Sequence, residues 1–499
     1  PEDREDKQWA VARYELEHFV CEGSYHDGLK RILKSYIENL DQGSQPAVWV
    51  SGFFGSGKSH LVRVLEFLWS DLSFVDGATA RGICNLPSDI EEALRELTTE
   101  ARRAGGIWSA AGTLSSGDSD DPRLAVLQVV LRSAGLPDIL DIARVHLWLA
   151  HEGILDGMRE KLRAIGKEKD MELPFVSEHF AQALLELKPR FAESATQATE
   201  FLSNQFITDR QMTNGELIGL MKDIFLLKGS ARGQVPLVLL VLDEVQQYLT
   251  IGEGSKQLLA FQEIIEACCK SFGGKLLVVA TGQEALQANV LLQRLQGRFS
   301  VPVQLESKDV DVVLHQTVLR KKESMKKTLQ SVFDQVNGEI SRHLGGTKLA
   351  HQMEDDDALL LDYPLLPTRK RLWDRILHAV DTGGMSTQLR TQLRLAYEGS
   401  RSTALEPIGS VIPADFIFNQ LSTYLIRNGL LADEINEMIR KEDDGTPDGN
   451  LRSRICALIY LVQYVDESFG VYANAQTLSD LLVTDLSAGS EMLRKKVPE

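Results

Sequence analysis

The stretch Val48-Trp49-Val50-Ser51-Gly52-Phe53-Phe54-Gly55-Ser56-Gly57-Lys58-Ser59-His60-Leu61 decides how the rest of the chain is read. It has the spacing G-x-x-x-x-G-K-S, directly after an apolar segment and directly before Leu61, Val62, Val64, Leu65 and Leu68, which recur with helical periodicity. Gly52, Gly55 and Gly57 allow a tight turn whose backbone N–H groups point inward, toward the positive end of the following helix. Such a turn suits a polyphosphate. Lys58 would add a point charge to the β- and γ-phosphates, and the Ser59 hydroxyl would ligate Mg²⁺. Phe53, Phe54, Ser56 and His60 complete the expected cradle, which predicts binding of ATP or GTP.

A second pattern lies far along the chain. Pro236–Leu242 is continuously apolar and runs into Asp243-Glu244. A carboxylate at the end of a buried strand can hold Mg²⁺ through its water shell, and the next can polarise an attacking water. Asp243 is therefore the expected metal group and Glu244 the expected catalytic one; a Glu directly after the metal carboxylate favours hydrolysis over binding alone. Lys275–Ala280 is another apolar strand and runs into Thr281-Gly282-Gln283. Thr281 or Gln283 would meet the γ-phosphate or the water there. Arg298, just before a last short strand at 301–305, is a candidate for reaching the nucleotide of a neighbouring subunit, with Arg294 as its competitor.

Apolar strands alternating with helices predict an α/β fold whose parallel sheet is covered on both faces, with ligands at the carboxyl ends of the strands. Working outward, residues 1–45 read as two helices and a turn, and 46–122 as the first part of the nucleotide core. That part holds a helix opened by Ser88 and Glu91 as a capping box and a strand at 107–114. A helical insertion follows at 123–232, the second part of the core at 233–306, a helical lid region at 307–440, and a further helical subdomain at 441–499. The acidic run Glu354-Asp355-Asp356-Asp357 reads as a solvated loop rather than a metal site. Lys321-Lys322, Lys326-Lys327 and Arg369-Lys370-Arg371 are the basic clusters best suited to a phosphate backbone, although solvated helix faces routinely carry such charges.

Composition bounds these expectations. With 499 residues, 43% hydrophobic and 25% charged, the chain has the make-up of a soluble globular protein of several domains. A formal charge of −17 argues against global attraction to nucleic acid and leaves a local basic surface open. The longest apolar stretch, about Val235–Leu242, falls far short of the roughly 20 residues of a membrane span. No signal peptide opens the sequence, and Cys21, Cys84, Cys268, Cys269 and Cys456 show neither metal-ligand nor disulfide spacing, which fits a reducing cytoplasm. A start at Pro1 rather than Met points to a portion of a longer protein.

On these residues the chain resembles the AAA+-type P-loop ATPases, in whose sheet a sensor strand lies between the P-loop strand and the strand bearing the Asp-Glu pair. More narrowly, Gly52–Leu61, Leu242-Asp243-Glu244-Val245 and Thr281-Gly282-Gln283-Glu284 are similar to the large P-loop ATPase of bacterial BREX phage-defence systems (BrxC/PglY-like). The likeness covers roughly residues 10–70 and 235–400. Related anti-phage ATPases carry a Tyr-Pro-x-x-Pro element followed by an arginine-bearing helix; Tyr363-Pro364-Leu365-Leu366-Pro367 and Gln388–Arg394 look like it. By that resemblance Arg390 would be a lid arginine sensing the γ-phosphate, with Arg394 or a purely structural helix as alternatives. The resemblance also implies a cytoplasmic homo-oligomer without membrane contact. It would work with other BREX-like defence proteins, including a DNA methyltransferase, and possess a route to DNA. Either an ATP-dependent motor or assembly component, or a slow nucleotide-gated scaffold of STAND or initiator type, fits these features. A nucleic-acid kinase or transferase lacks an acceptor-site constellation.

Overall fold

The apolar strands read from the sequence form one five-stranded, all-parallel sheet in the order β2-β3-β4-β1-β5, as seen in a computed structural model of the chain. The structure describes residues 6–52, 56–114, 121–208, 211–231, 233–250, 254–287, 292–305, 314–380 and 386–498; the side chains of 6–8, 254–255 and 386–390 are also outside the description. Two compact units result, one of Pro1–Gly52 with Gly57–Glu306 and one formed chiefly by Ser307–Glu499.

In the first unit α1 (Asp6–Glu17) and α2 (Gly23–Asn39) precede β1 (Val48–Ser51) and α3 (Lys58–Ser70). Next come α4 (Ala80–Ile83), α5 (Ser88–Ala104), β2 (Ile107–Thr113), and the helices α6 (Pro122–Ser133), α7 (Leu140–His151), α8 (Leu155–Ala164), α9 (Glu178–Leu187), α10 (Ala195–Phe206) and α11 (Asn214–Lys228). The unit closes with β3 (Leu237–Asp243), α12 (Val245–Thr250), α13 (Gly254–Ser271), β4 (Leu276–Gly282) and β5 (Val301–Gln304). Strands β1 and β4 are buried along their whole length and β3 up to Asp243, because helices cover both sheet faces and leave no polar face for alternation. The two edge strands differ: in β2 only Ala110 is fully buried, and β5 alternates buried Val301 and Val303 with exposed Pro302 and Gln304.

The helical stretch between β2 and β3 has two characters. Its first and last helices, α6 and α11, join α13 in the core against the sheet through Leu127, Val130, Ile224, Phe225 and Phe261. Helices α8 to α10 form a cluster of their own around Met158, Phe180 and Leu202, and α7 bridges the two, with Ala143 and Leu147 in the sheet core and Val145 and Leu149 in the second cluster. One local expectation is corrected. The N-cap of α5 is Pro87 without a side-chain cap, so Ser88 falls inside the helix and the expected capping box with Glu91 does not form. A capping box does open α11, where Thr213 and Glu216 satisfy each other's backbone N–H groups.

The second unit is helical, including Glu323–Arg342, Asp355–Asp362, Pro367–Val380, Ser386–Thr403, Phe416–Arg427, Pro447–Val462 and Ala475–Leu482. Leu372, Trp373, Ile376, Ile417, Leu421, Leu458 and Leu481 form its main core. Two expectations fail here for one reason, the pairing of opposite charges inside the unit. The acidic run is not a solvated loop; it opens a helix, whose positive end favours acids, and Asp355 is buried against Arg371 at 2.6 and 2.8 Å. The basic cluster is not a surface patch: Arg369 is only 1% exposed and donates to the carbonyl oxygens of Ile412 (2.5 Å) and Asp480 (3.3 Å). Lys370 meets Asp362 at 3.2 Å.

Among the described residues no helix is long and apolar enough to cross a membrane, no three or more His, Cys, Asp or Glu side chains cluster as metal ligands, and all five cysteines are free thiols.

Candidate functional site at the carboxyl ends of the strands

Parallel register brings the carboxyl ends of β2, β3, β4 and β1 abreast: Thr113 pairs with Asp243, Leu242 with Ala280, and Val50 with Thr281. The chain leaves β1 at Gly52. Phe53, Phe54 and Gly55 lie outside the described residues; Ser56 is buried at 1% exposure. Gly57 has φ +85°, and a Cβ there would lie 2.0 Å from the Tyr25 hydroxyl, so two independent constraints demand glycine. Because Gly57 is also the N-cap of α3, no side chain caps that helix, and its first N–H groups keep the character of an anion site.

Lys58 is the first residue of α3, and its ammonium donates to the Gly52 carbonyl at 2.7 Å. Burial lowers its pKa, while the nearby carboxylates of Asp243 and Glu244 oppose that shift. The lysine of the first motif thus lies within electrostatic reach of both acids of the second. A pocket of about 1200 Å³ is lined by Ser59 and Asp243 together. It continues between the α3 residues Arg63, Glu66 and Ser70 and the small residues of β2. His60 also lines it, but its ring packs 5.6 Å from that of Phe19. Burial, helped by Arg63, pushes its pKa down to about 4, so it is neutral near pH 7 and brings no charge to a phosphate.

Thr281 is 1% exposed at the end of β4. Its hydroxyl donates to Asp243 Oδ1 at 2.5 Å and accepts the N–H of Glu244 at 2.9 Å. The same N–H lies 3.1 Å from Asp243 Oδ1. The hydroxyl of Thr281, expected to meet a phosphate or water, thereby orients the acid pair. Glu244 adopts φ +59°, a conformation uncommon for a residue with a side chain, and is held there as the chain turns from β3 into α12. Gln283, the alternative to Thr281, has its backbone N–H bound by the side chain of Gln246 at 2.7 Å.

The arginines fall elsewhere. Arg298 sits at the amino edge of the sheet, where its carbonyl accepts the Ala47 N–H at 3.2 Å. A four-residue strand such as β1 spans about 13 Å, so Arg298 is remote from its own chain's cradle. Its guanidinium pairs with Glu266 of α13 at 2.5 Å, which any action in trans must first release. Arg294 belongs to the short turn Leu292–Leu295. The side chain of Arg390 lies outside the described residues; Arg394 is exposed on the helix Ser386–Thr403.

Hydroxyl and carboxylate oxygens at Ser59 and Asp243 are the hard donors that Mg²⁺ takes while keeping several waters, and Lys58 with the open start of α3 suits a polyphosphate. The donor set fits both groups. Tyr25, Trp49 and Gln246 are site residues that sequence reasoning missed. Trp49 donates from its indole to the Glu284 carbonyl at 3.0 Å, and its ring abuts Gly282 so closely that a Cβ there would lie 2.2 Å away. These meetings arise between elements far apart in the chain, α2 with the start of α3, α12 with the end of β4 and β1 with β4, and no local motif announces them. Compared with known protein families, the chain matches none.

Proposed function

We propose that the chain is a Mg²⁺-dependent ATPase of AAA+ type, serving as an ATP-dependent motor or assembly component of a BREX-like anti-phage complex. One observation carries the ATPase reading: Ser59 and Asp243, 184 positions apart in the sequence, line one pocket, with Lys58 in electrostatic reach of Asp243 and Glu244. The sheet order supports the AAA+ assignment, since β4 lies between β1 and β3. The defence role, its cytoplasmic partners and any DNA contact rest on the sequence resemblance.

In this account Lys58 and the start of α3 hold the phosphates, while Ser59 and Asp243 hold the metal. Glu244 accepts a proton from the attacking water, and Thr281 keeps Asp243 and the Glu244 backbone in register. Bound Mg²⁺ supplies a Lewis acid that offsets charge on the phosphate oxygens. The test is a comparison of MgATP affinity and turnover in two variants. Lys58→Ala should abolish both, and Glu244→Gln should keep affinity while losing turnover by on the order of 10²-fold or more. Equal hydrolysis by Glu244→Gln would remove Glu244 from its role.

The Arg298–Glu266 pair favours a slower device as the second reading, a nucleotide-gated scaffold in which the trans arginine is withheld until subunits assemble. Size analysis with and without ATP and duplex DNA separates the two. DNA-stimulated turnover marks the motor, and slow turnover with ATP-driven assembly marks the scaffold.

A further inference from the structure

Two residues beyond Glu244, on the first turn of α12, Gln246 makes contacts that a surface glutamine does not need. Its Oε1 accepts the backbone N–H of Gln283 at 2.7 Å and that of Glu284 at 2.9 Å, and its amide nitrogen faces the Glu284 carboxylate at 3.4 Å. Those two N–H groups are the first past the end of β4, where strand pairing has stopped supplying partners. Thr281, the penultimate residue of the same strand, is bound to Asp243 and to the N–H of Glu244. The contacts therefore close a ring. It runs from Glu244 through Val245 to Gln246, across to Gln283, back through Gly282 to Thr281, and across again to Glu244. Trp49 fastens the ring to β1 by its bond to the Glu284 carbonyl, and Gly282 leaves the room for it.

We infer that Gln246 is a positioning residue that fixes Glu244 relative to the end of β4, and so holds the carboxylate where it can take the proton of the water that attacks the γ-phosphate. The inference rests on the ATPase reading above. An amide is the group that fits: its oxygen takes two backbone donors at once, and its nitrogen can approach Glu284 without charge repulsion. The left-handed backbone of Glu244 needs such support, because that conformation persists only where surrounding contacts over-determine it. Loss of the clamp leaves the cradle of Lys58 and Ser59 in place and lets Glu244 wander.

The test uses the full chain as wild type, Gln246→Ala and Gln246→Glu, the last keeping the oxygen acceptor. Three quantities are measured: kcat and KM for MgATP, affinity for a fluorescent ATP analogue, and hydrogen exchange of the Gln283 and Glu284 amides without nucleotide. Gln246→Ala should lower kcat on the order of 10- to 100-fold, the scale of a small misplacement of a reacting group. Its KM and analogue affinity should stay within about twofold of wild type, and exchange at both amides should rise. Gln246→Glu keeps the acceptor but sets a second carboxylate beside that of Glu284, so it should restore only part of the protection and of kcat, leaving both between Gln246→Ala and wild type. Unchanged exchange in Gln246→Ala overturns the clamp, while lost protection at unchanged kcat overturns its role in positioning. Affinity falling in step with kcat assigns Gln246 to the cradle instead. A wild-type protein without ATP turnover would overturn the ATPase reading itself, an outcome distinct from an active wild type that tolerates Gln246→Ala.

Discussion

The carboxyl edge of the sheet and the core of the second unit both gather charged side chains, and they put them to opposite uses. At the sheet edge Ser59 and Asp243 line a pocket, with Lys58 in electrostatic reach of Asp243 and Glu244 and the acid pair oriented by Thr281. In the second unit the charges consume one another. Arg371 pairs with Asp355, Arg454 with Asp415 at 2.8 and 2.9 Å, and Arg494 with Asp480 at 2.6 Å, while Arg369 is buried against backbone carbonyls. A run of basic residues in a sequence is therefore no sign of a nucleic-acid surface until the acids that could meet it are known.

The contrast can be broken most strongly at Arg369. Burial lowers its pKa to about 9, and Asp415 and Asp480 counter that effect, so the guanidinium is a buried, balanced charge. Arg369→Ala should destabilise the second unit by about 3–5 kcal/mol, because two carbonyls and the nearby acids lose their partner. Urea unfolding checks this. A variant of unchanged stability that loses affinity for duplex DNA would return the cluster to a surface role.

A smaller effect is expected with pH. His343 is 1% exposed, and burial together with Arg369 lowers its pKa from 6.5 to about 4. The unfolded chain then binds more protons than the folded one between these values. The contribution of neutral His343 is full above pH 6.5 and is lost as pH falls toward 4, by roughly 3 kcal/mol in all. His343→Gln should flatten that part of a stability-against-pH curve; a curve of unchanged slope would show that His343 is not the group titrating.

The smallest effect separates two look-alike sequences. Thr213→Ala removes a formed capping box and should cost about 1 kcal/mol, whereas Ser88→Ala, one position inside α5, should cost less than about 0.5 kcal/mol. Equal costs in thermal unfolding would mean that Ser88 caps after all.

These cases also indicate what the sequence could reveal. Buried parallel strands were legible because helices on both faces leave uninterrupted apolar runs, as at 236–242 and 275–280, and glycine spacing marked the turn after β1. Asp243 and Glu244 were legible from their place at a strand end. The bond between Thr281 and Asp243 was not legible, since only the pairing of β3 with β4 sets that hydroxyl beside the acid. Gln246, Tyr25 and Trp49 carry no local signature; their roles arise from contacts between elements far apart in the chain. Arg369 was misread because its partners lie 43 and 111 positions away.

The most direct test of a shared metal-triphosphate site is a double-mutant cycle on Mg²⁺-dependent ATP affinity with Ser59→Ala and Asp243→Ala. If both side chains grip one ion, each single variant loses most of the Mg²⁺ contribution and the double variant loses little more, a coupling of about 1–3 kcal/mol. Losses that simply add, or Mg²⁺ dependence that survives in Asp243→Ala, would contradict the account.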